Sequence, residues 1–273
     1  MLARRSTGDI RVGIGGWTYA PWRGVFYPRD LVQRRELEFA ASRVSSIEIN
    51  GTFYAAQKPE VFVRWREETP ADFVFSLKAP RYATHRRALA SAGTTIERFL
   101  SGGVLQLQDK LGAINWQLPP EMSFDPGDFE AFLKLLPARL ESRALRHAVE
   151  VRHASFRCAT CVALARHYGV ALVLAGDSQH PWFSDLTTSS VYVRLMGTQS
   201  GQPLGYSLPD LDRWAQRVRR WAEGGAPSDL PPLLTEAAPA ECRDVFVYFI
   251  NGFKVANPAA AQALMQRLAP AKP

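Results

Sequence analysis

Cysteine is scarce in this chain, with three residues among 273. That is too few for a disulfide framework and fits a reducing compartment. Long apolar runs are missing as well: nothing approaches the roughly 18 residues a membrane helix needs, and Met1 to Asp9 holds no apolar core of a secretory signal. The expectation is a cytoplasmic protein with no membrane partner. Histidine is sparse too. His85, His147, His153, His167 and His180 show neither HxH nor HExxH spacing, and Cys158 and Cys161 form a C-x-x-C with no second pair, Cys242 lying far away. No metal and no cofactor is therefore predicted, although a single divalent ion on carboxylates is compatible with the composition. No stretch reads as an interdomain linker; the proline-rich piece from Ala226 to Ala240 separates only a helix from a strand, so residues 1–273 are read as one domain.

What is present is an ordinary globular composition, 47% hydrophobic and 22% charged, with a net charge of +7. The basic balance favours an anionic partner, either a small molecule or nucleic acid. Apolar, β-branched runs recur at Ile10 to Gly16, Ser46 to Asn50, Phe73 to Lys78, Ala113 to Leu118, Ala148 to Arg152, Val170 to Ala175, Ser190 to Met196 and Val245 to Ile250. Between them lie stretches of helical periodicity: Leu31 to Arg43, Pro59 to Glu68, Thr95 to Lys110, Asp125 to Leu140, Cys161 to Tyr168, Pro209 to Glu223 and Asn257 to Leu268. Eight βα units in about 250 residues predict an α/β TIM-type (β/α)8 barrel. One unit is short: Asp177 to Leu186 leaves little room for a helix between the sixth and seventh strands, which is predicted truncated or absent.

Strand alternation makes a sharper prediction. Glu48 and Asn50, Ser76 and Lys78, Asn115 and Gln117, Glu150 and Arg152, and Tyr192 and Arg194 each occupy alternate positions of an otherwise apolar strand. If the apolar set faces the helices, the polar set points into the barrel, near the C-terminal strand ends where TIM-barrel sites are built. Two acids and three bases then converge. They could form a structural ion-pair network filling the mouth. The alternative is a ligand site, since ordinary barrel layers are Val, Ile and Leu and ionisable groups there carry a desolvation penalty. In a ligand site Glu48 and Glu150 would act as general acid and base, while Lys78, Arg152 and Arg194 would hold a carboxylate or phosphate.

Three loops bear on the same mouth. Gly15-Gly16-Trp17-Thr18-Tyr19, continuing to Trp22 and Phe26-Tyr27-Pro28, either packs as a lid or offers rings, with Tyr54, for stacking on a base or sugar. Lys78 to Arg87 is the most basic loop and contains His85, which titrates near neutral pH and is a candidate for proton transfer. Gly197 to Gly201 and the helix start at Asn257-Pro258 lie where TIM barrels often bind phosphate.

These motifs resemble the YecE-like family, domain-of-unknown-function family 72, along nearly the whole chain. The resemblance rests on Gly16-Trp17 with Tyr19, Trp22 and Phe26-Tyr27-Pro28; Glu48-Ile49-Asn50 with Thr52-Phe53-Tyr54; Phe75 and Lys78 with Thr84-His85; Leu111-Gly112 with Gln117-Leu118-Pro119; Glu150-Val151-Arg152 with Ser155-Phe156; Tyr192 and Arg194 with Gly197; and Tyr248-Phe249 with Asn251, Ala256 and Asn257. It implies a TIM barrel, and a structural likeness proposed between that family and TIM-barrel apurinic endonucleases adds nucleic acid to the candidate partners. Met196 stands where the family usually has His, and Ile250-Asn251 where it usually has two Asn. A mechanism needing those side chains does not carry over. The candidates are thus Glu48, Glu150, Lys78 and His85 for catalysis, and Asn50, Gln117, Arg152, Arg194, Asn251, Trp17, Tyr19 and Tyr54 for binding an anionic, phosphate-bearing ligand. The expected chemistry is of the hydrolase or lyase type, and the alternative is a non-catalytic binder of nucleic acid or a sugar phosphate.

Overall fold

A computed structural model describes residues 6–270; Met1 to Arg5, part of the stretch inspected for a targeting signal, lie outside the described residues. Parallel strands β1 (Ile10–Gly15), β2 (Ser46–Ile49), β3 (Val74–Lys78), β4 (Leu111–Gln117) and β5 (Arg146–Glu150) pair in sequence order. Strand β6 comes in two pieces, Ala171–Leu172 and Leu174–Gly176, followed by β7 (Ser190–Leu195) and β8 (Asp244–Phe249). The first piece of β6 pairs with β5 and the second with β7, while β8 pairs with both β7 and β1. The sheet is therefore nearly closed through the two pieces of β6, giving the expected TIM-type barrel.

The outer layer is α1 (Glu36–Ala41), α2 (Pro59–Glu67), α3 (Gly93–Ser101), α4 (Pro126–Lys134), α5 (Ala159–His167), α6 (Leu208–Ala222) and α7 (Asn257–Leu268). Between β6 and β7, residues 177–189 form no helix, as the short connection predicts. Three helices are shorter than their periodicity implies. Helix α1 is preceded by a 3-10 turn at Gln33–Arg35. The third helical stretch breaks at Gly103, whose φ of 106° no L residue adopts comfortably, and continues as the 3-10 segment Val104–Lys110. The fourth stops at Lys134, and Arg139–Leu140 pairs instead with Arg143–Ala144 in a small hairpin. Asn257 is the first residue of α7, and its Oδ1 accepts from Thr198 Oγ1 at 2.8 Å.

The side-chain alternation holds throughout. Buried apolar residues separate into two clusters, a large one between sheet and helices that includes Ile47, Phe75, Leu77, Trp116, Val149 and Val193, and a small one inside the barrel. The inner cluster is Val74, Ala113, Ala148, Ala171, Val173, Tyr192, Phe246 and Tyr248. Small alanines leave room there for the three rings. Strand β1 contributes almost nothing inside, because a Cβ at Gly13 would lie 1.7 Å from the Ser46 carbonyl oxygen. The barrel base is thus an apolar plug, and polar side chains begin one layer above it.

Candidate active site at the C-terminal mouth

The first polar layer is made of hydroxyls. Tyr248 bridges Ser46 and Ser76 at 2.7 and 2.8 Å, three groups brought together from β8, β2 and β3. Above it Tyr192 donates to Glu48 Oε2 at 2.7 Å. Glu48 and Glu150 then meet at one guanidinium: Arg194 Nη2 donates to Glu48 Oε1 at 2.9 Å and Nη1 to Glu150 Oε2 at 2.5 Å. Gln117 and Arg152 complete the shell of Glu150, the former at 2.8 Å and the latter through two bonds of 3.0 Å. Asn115 Nδ2 lies between the two carboxylates, 3.4 Å from Glu48 and 3.3 Å from Glu150.

Burial and pairing oppose one another in this cluster. Desolvation raises the Glu150 pKa, but Arg194 and Arg152 outweigh it and hold the carboxyl at about 2. Burial likewise works against charge on Arg194, yet Glu150 and Glu48 keep its pKa above the ordinary arginine range. Both glutamates are fully buried. Glu150 is the ionised partner of Arg194, and the same guanidinium roofs both glutamates.

Over this roof opens a cavity of about 760 Å³. Lys78, Arg152, Arg194 and Lys254 reach it, together with Asn50, Gln117, Asn251 and His85, and no aspartate or glutamate lines it. Lys78 is only 7% exposed, and its side-chain amine makes no hydrogen bond or ion pair with any described residue. Its Nζ lies 3.9 Å from the centroid of the Phe53 ring. Burial first, and then Arg194, push its pKa down to about 8, despite the opposing pull of Glu48 and Glu150. The ring is positioned by the one-turn helix Gly51–Tyr54, anchored where Thr52 Oγ1 donates to the Lys78 carbonyl at 2.7 Å. His85 packs edge-on against the same ring at 5.3 Å, and burial, Arg81 and Lys78 lower its pKa, favouring the neutral imidazole.

The structure gathers most of the sequence candidates. Lys78, His85, Asn50, Gln117, Arg152, Arg194, Asn251, Trp17 and Tyr54 line the cavity, whereas Glu48 and Glu150 lie beneath it and Tyr19 does not line it. The glycine-aromatic loop divides between its two readings. Trp22 and Tyr27 are buried core, and of the loop's rings Trp17 lines the cavity, held edge-on against Trp65. Of the basic loop, His85 reaches the mouth, while Arg86 and Arg87 line a neighbouring cleft that also holds Glu121, Asp125 and Asp128. Neither Gly197 to Gly201 nor Asn257 lines the cavity. Ile250 does, adding apolar surface where the family pattern has an amide.

Lys254 is the charged cavity residue that sequence reasoning missed, alongside Phe53, Gln57 and Trp65. It falls outside every strand, so alternation says nothing about it. Its Nζ lies 4.4 Å from the Tyr19 centroid, and its carbonyl accepts from the buried Trp22 Nε1 at 2.9 Å, which ties the β8 loop to the aromatic loop. Tyr19 therefore contributes by backing a lysine. A Trp and a Tyr ahead of one unpaired lysine would have been the signal, but only with their spatial proximity known. Asn115 and Tyr192 were on the inward parity and turn out to bond the carboxylates directly. Among the described residues, no group of three or more His, Cys, Asp and Glu side chains is gathered as for a metal ion. Cys161 is buried with its thiol pKa pushed up by burial. No helix among the described residues is long and apolar enough to cross a membrane.

The sequence model of a protein family of unknown function, DUF72, matches residues 11–273. This chain belongs to the DUF72 family. It is 33% identical to the UPF0759 protein YecE of Escherichia coli K12 over 150 residues, which is 54% of this chain and 50% of YecE. The matched stretch thus spans about half the length of that curated relative. Among solved structures, a DUF72 protein of Thermotoga maritima superposes with a TM-score of 0.70 at 22% identity, covering 94% of this chain and 97% of its own. A DUF72 protein of Enterococcus faecalis gives 0.68 at 16% identity, with 95% of each chain covered. At these identities the likeness establishes the shared barrel, and the chemistry has to come from the DUF72 mouth described above.

Proposed function

We propose that the barrel mouth binds a small anionic, phosphate-bearing ligand and is the seat of hydrolase- or lyase-type acid/base chemistry on it. The observation that carries this reading is the charge balance. Four cationic side chains face the cavity and two carboxylates lie under it, so two positive charges are left uncompensated. A phosphate monoester supplies about two negative charges near neutral pH. Arg152 and Arg194 offer planar donors suited to phosphate oxygens, and Asn50, Gln117 and Asn251 add neutral polar groups around it. Within this reading Lys78 and His85 are the proton-transfer groups, because both reach the cavity, burial brings the Lys78 pKa down to about 8, and burial with Arg81 and Lys78 lowers that of His85. Glu48 and Glu150 act as positioning residues that orient the arginines.

The test is thermal unfolding with inorganic phosphate. The melting temperature of the wild type is expected to rise, and that of Arg152→Ala to rise much less; at 100 times the dissociation constant a single site adds about 2.7 kcal/mol. Equal shifts in both proteins would overturn the assignment. A second reading, binding of a nucleic-acid strand, draws on the exposed Tyr54 and Tyr82 beside the mouth, each 66% exposed and available for base stacking.

A further inference from the structure

Lys78 is over-built for a residue that only neutralises an anion. Both carboxylates within electrostatic reach already receive hydrogen bonds from Arg194, Tyr192, Gln117 and Arg152, and the amine is left outside that network with no partner of its own. The two arginines can hold the anion without it. What the fold adds at Lys78 is a largely buried position, a phenyl ring 3.9 Å away and the Arg194 guanidinium in the same cavity wall. Desolvation and an adjacent cation are the two conditions that make a lysine amine nucleophilic at neutral pH. An arginine could bind phosphate equally well but could not attack a carbonyl.

The geometry points to Lys78 as a covalent nucleophile that forms an imine with the carbonyl carbon of a phosphorylated aldehyde or ketone held by Arg152 and Arg194. This rests on the anion-binding reading above and names its substrate class. The neutral Nζ adds its lone pair to the carbonyl carbon, and the carbonyl π pair moves to oxygen. One amine hydrogen passes to that oxygen to give a carbinolamine. Loss of the C–O bond with the second amine hydrogen releases water and leaves the C=N bond, so no oxidant, reductant or other co-reactant is required. His85, which packs edge-on against the same phenyl ring and lines the same cavity, is the side chain placed to carry these protons.

The experiment uses the full chain, glyceraldehyde 3-phosphate as probe, and sodium cyanoborohydride, which reduces any imine to a stable secondary amine. Intact mass and peptide mapping are expected to find one adduct per chain, on Lys78. It should form about tenfold faster than on any other lysine and than with unphosphorylated glyceraldehyde, and be suppressed by inorganic phosphate. Lys78→Arg, which keeps the charge, is expected to lose it; the mapping of the wild type stands even if that variant folds poorly. Labelling spread evenly over the lysines, or centred on Lys254, overturns the proposal, as does equal labelling by the two aldehydes. If phosphate raises the melting temperature but no Lys78 adduct forms, the anion site survives and the imine falls. If phosphate neither stabilises the protein nor suppresses labelling, the anion-binding reading has failed and takes the proposed substrate class with it.

Discussion

Arg194 donates to Glu150 across 2.5 Å, with both side chains essentially withdrawn from solvent. Such a pair is costly to assemble and more costly to break, because removal of one partner strands the other charge in a low-dielectric interior. Arg194 is moreover shared with Glu48 at 2.9 Å, so its loss takes from Glu48 its ion pair with an arginine and leaves Glu150 with Arg152 alone.

Arg194→Met is therefore expected to destabilise the fold by about 3 to 5 kcal/mol, read as a lowered urea midpoint. Adding Glu48→Gln and Glu150→Gln to that variant should restore part of the loss, since no bare carboxylate then remains buried. A change below about 1 kcal/mol in Arg194→Met would mean that the three groups are not coupled as described.

His147 governs a separate loss of stability in mild acid. Trp116 Nε1 donates to its Nδ1 at 3.0 Å, so Nε2 carries the proton and donates to the Pro137 carbonyl at 2.9 Å. Burial holds the imidazole neutral with its pKa lowered to about 4. A depressed folded pKa contributes stability above the unfolded value near ~6.5, and that contribution is lost as pH falls toward 4, on the order of 3 kcal/mol in all. Glu150, held at about 2, loses its own contribution in a lower window, between about pH 4.5 and 2. Unfolding free energies at pH 7, 5.5 and 4.5 should fall in the wild type and stay flatter in His147→Gln; parallel curves would remove His147 as the cause.

Ligand affinity should decline on the alkaline side. Lys78, whose pKa lies at about 8, faces Arg194, Arg152, Glu48, Glu150 and His85, and deprotonation removes one cation from the mouth. A phosphate monoester, with its second ionisation near ~6, keeps its charge over the same range. Titration calorimetry between pH 7 and 9.5 should show affinity falling by about 3- to 10-fold. Lys78→Arg should abolish the decline, and persistence of the decline in that variant would assign it to another group.

Salt distinguishes the two readings of the mouth. A single small phosphate should give a log affinity against log salt slope of about −1 to −2, whereas a strand making six or more phosphate contacts should approach −4. Titration of a phosphate monoester and of a single-stranded oligonucleotide across 50 to 300 mM salt, roughly the range over which counterion release is read, decides between them. A steep slope together with tighter oligonucleotide binding would favour the strand.

The sequence by itself determined the barrel and the direction in which its polar residues point. Period-2 alternation is a local property of the backbone, so Glu48, Lys78, Gln117, Glu150 and Arg194 could be assigned to the interior without knowing what they touch. The missing helix after β6 was legible for the same reason, as a matter of length. Only tertiary structure decided depth. Glu48 and Glu150 share the parity of Lys78 but lie one layer lower, and Arg194 reaches across from β7 to cover both. That height depends on strand register and barrel tilt, which are set by pairing between strands far apart in the chain, such as Ser190 with Asp244 and Ile10 with Val245. The same long-range packing brought Lys254 to the mouth through Trp22 and left the Lys78 amine against the Phe53 ring with no hydrogen-bond partner among the described residues.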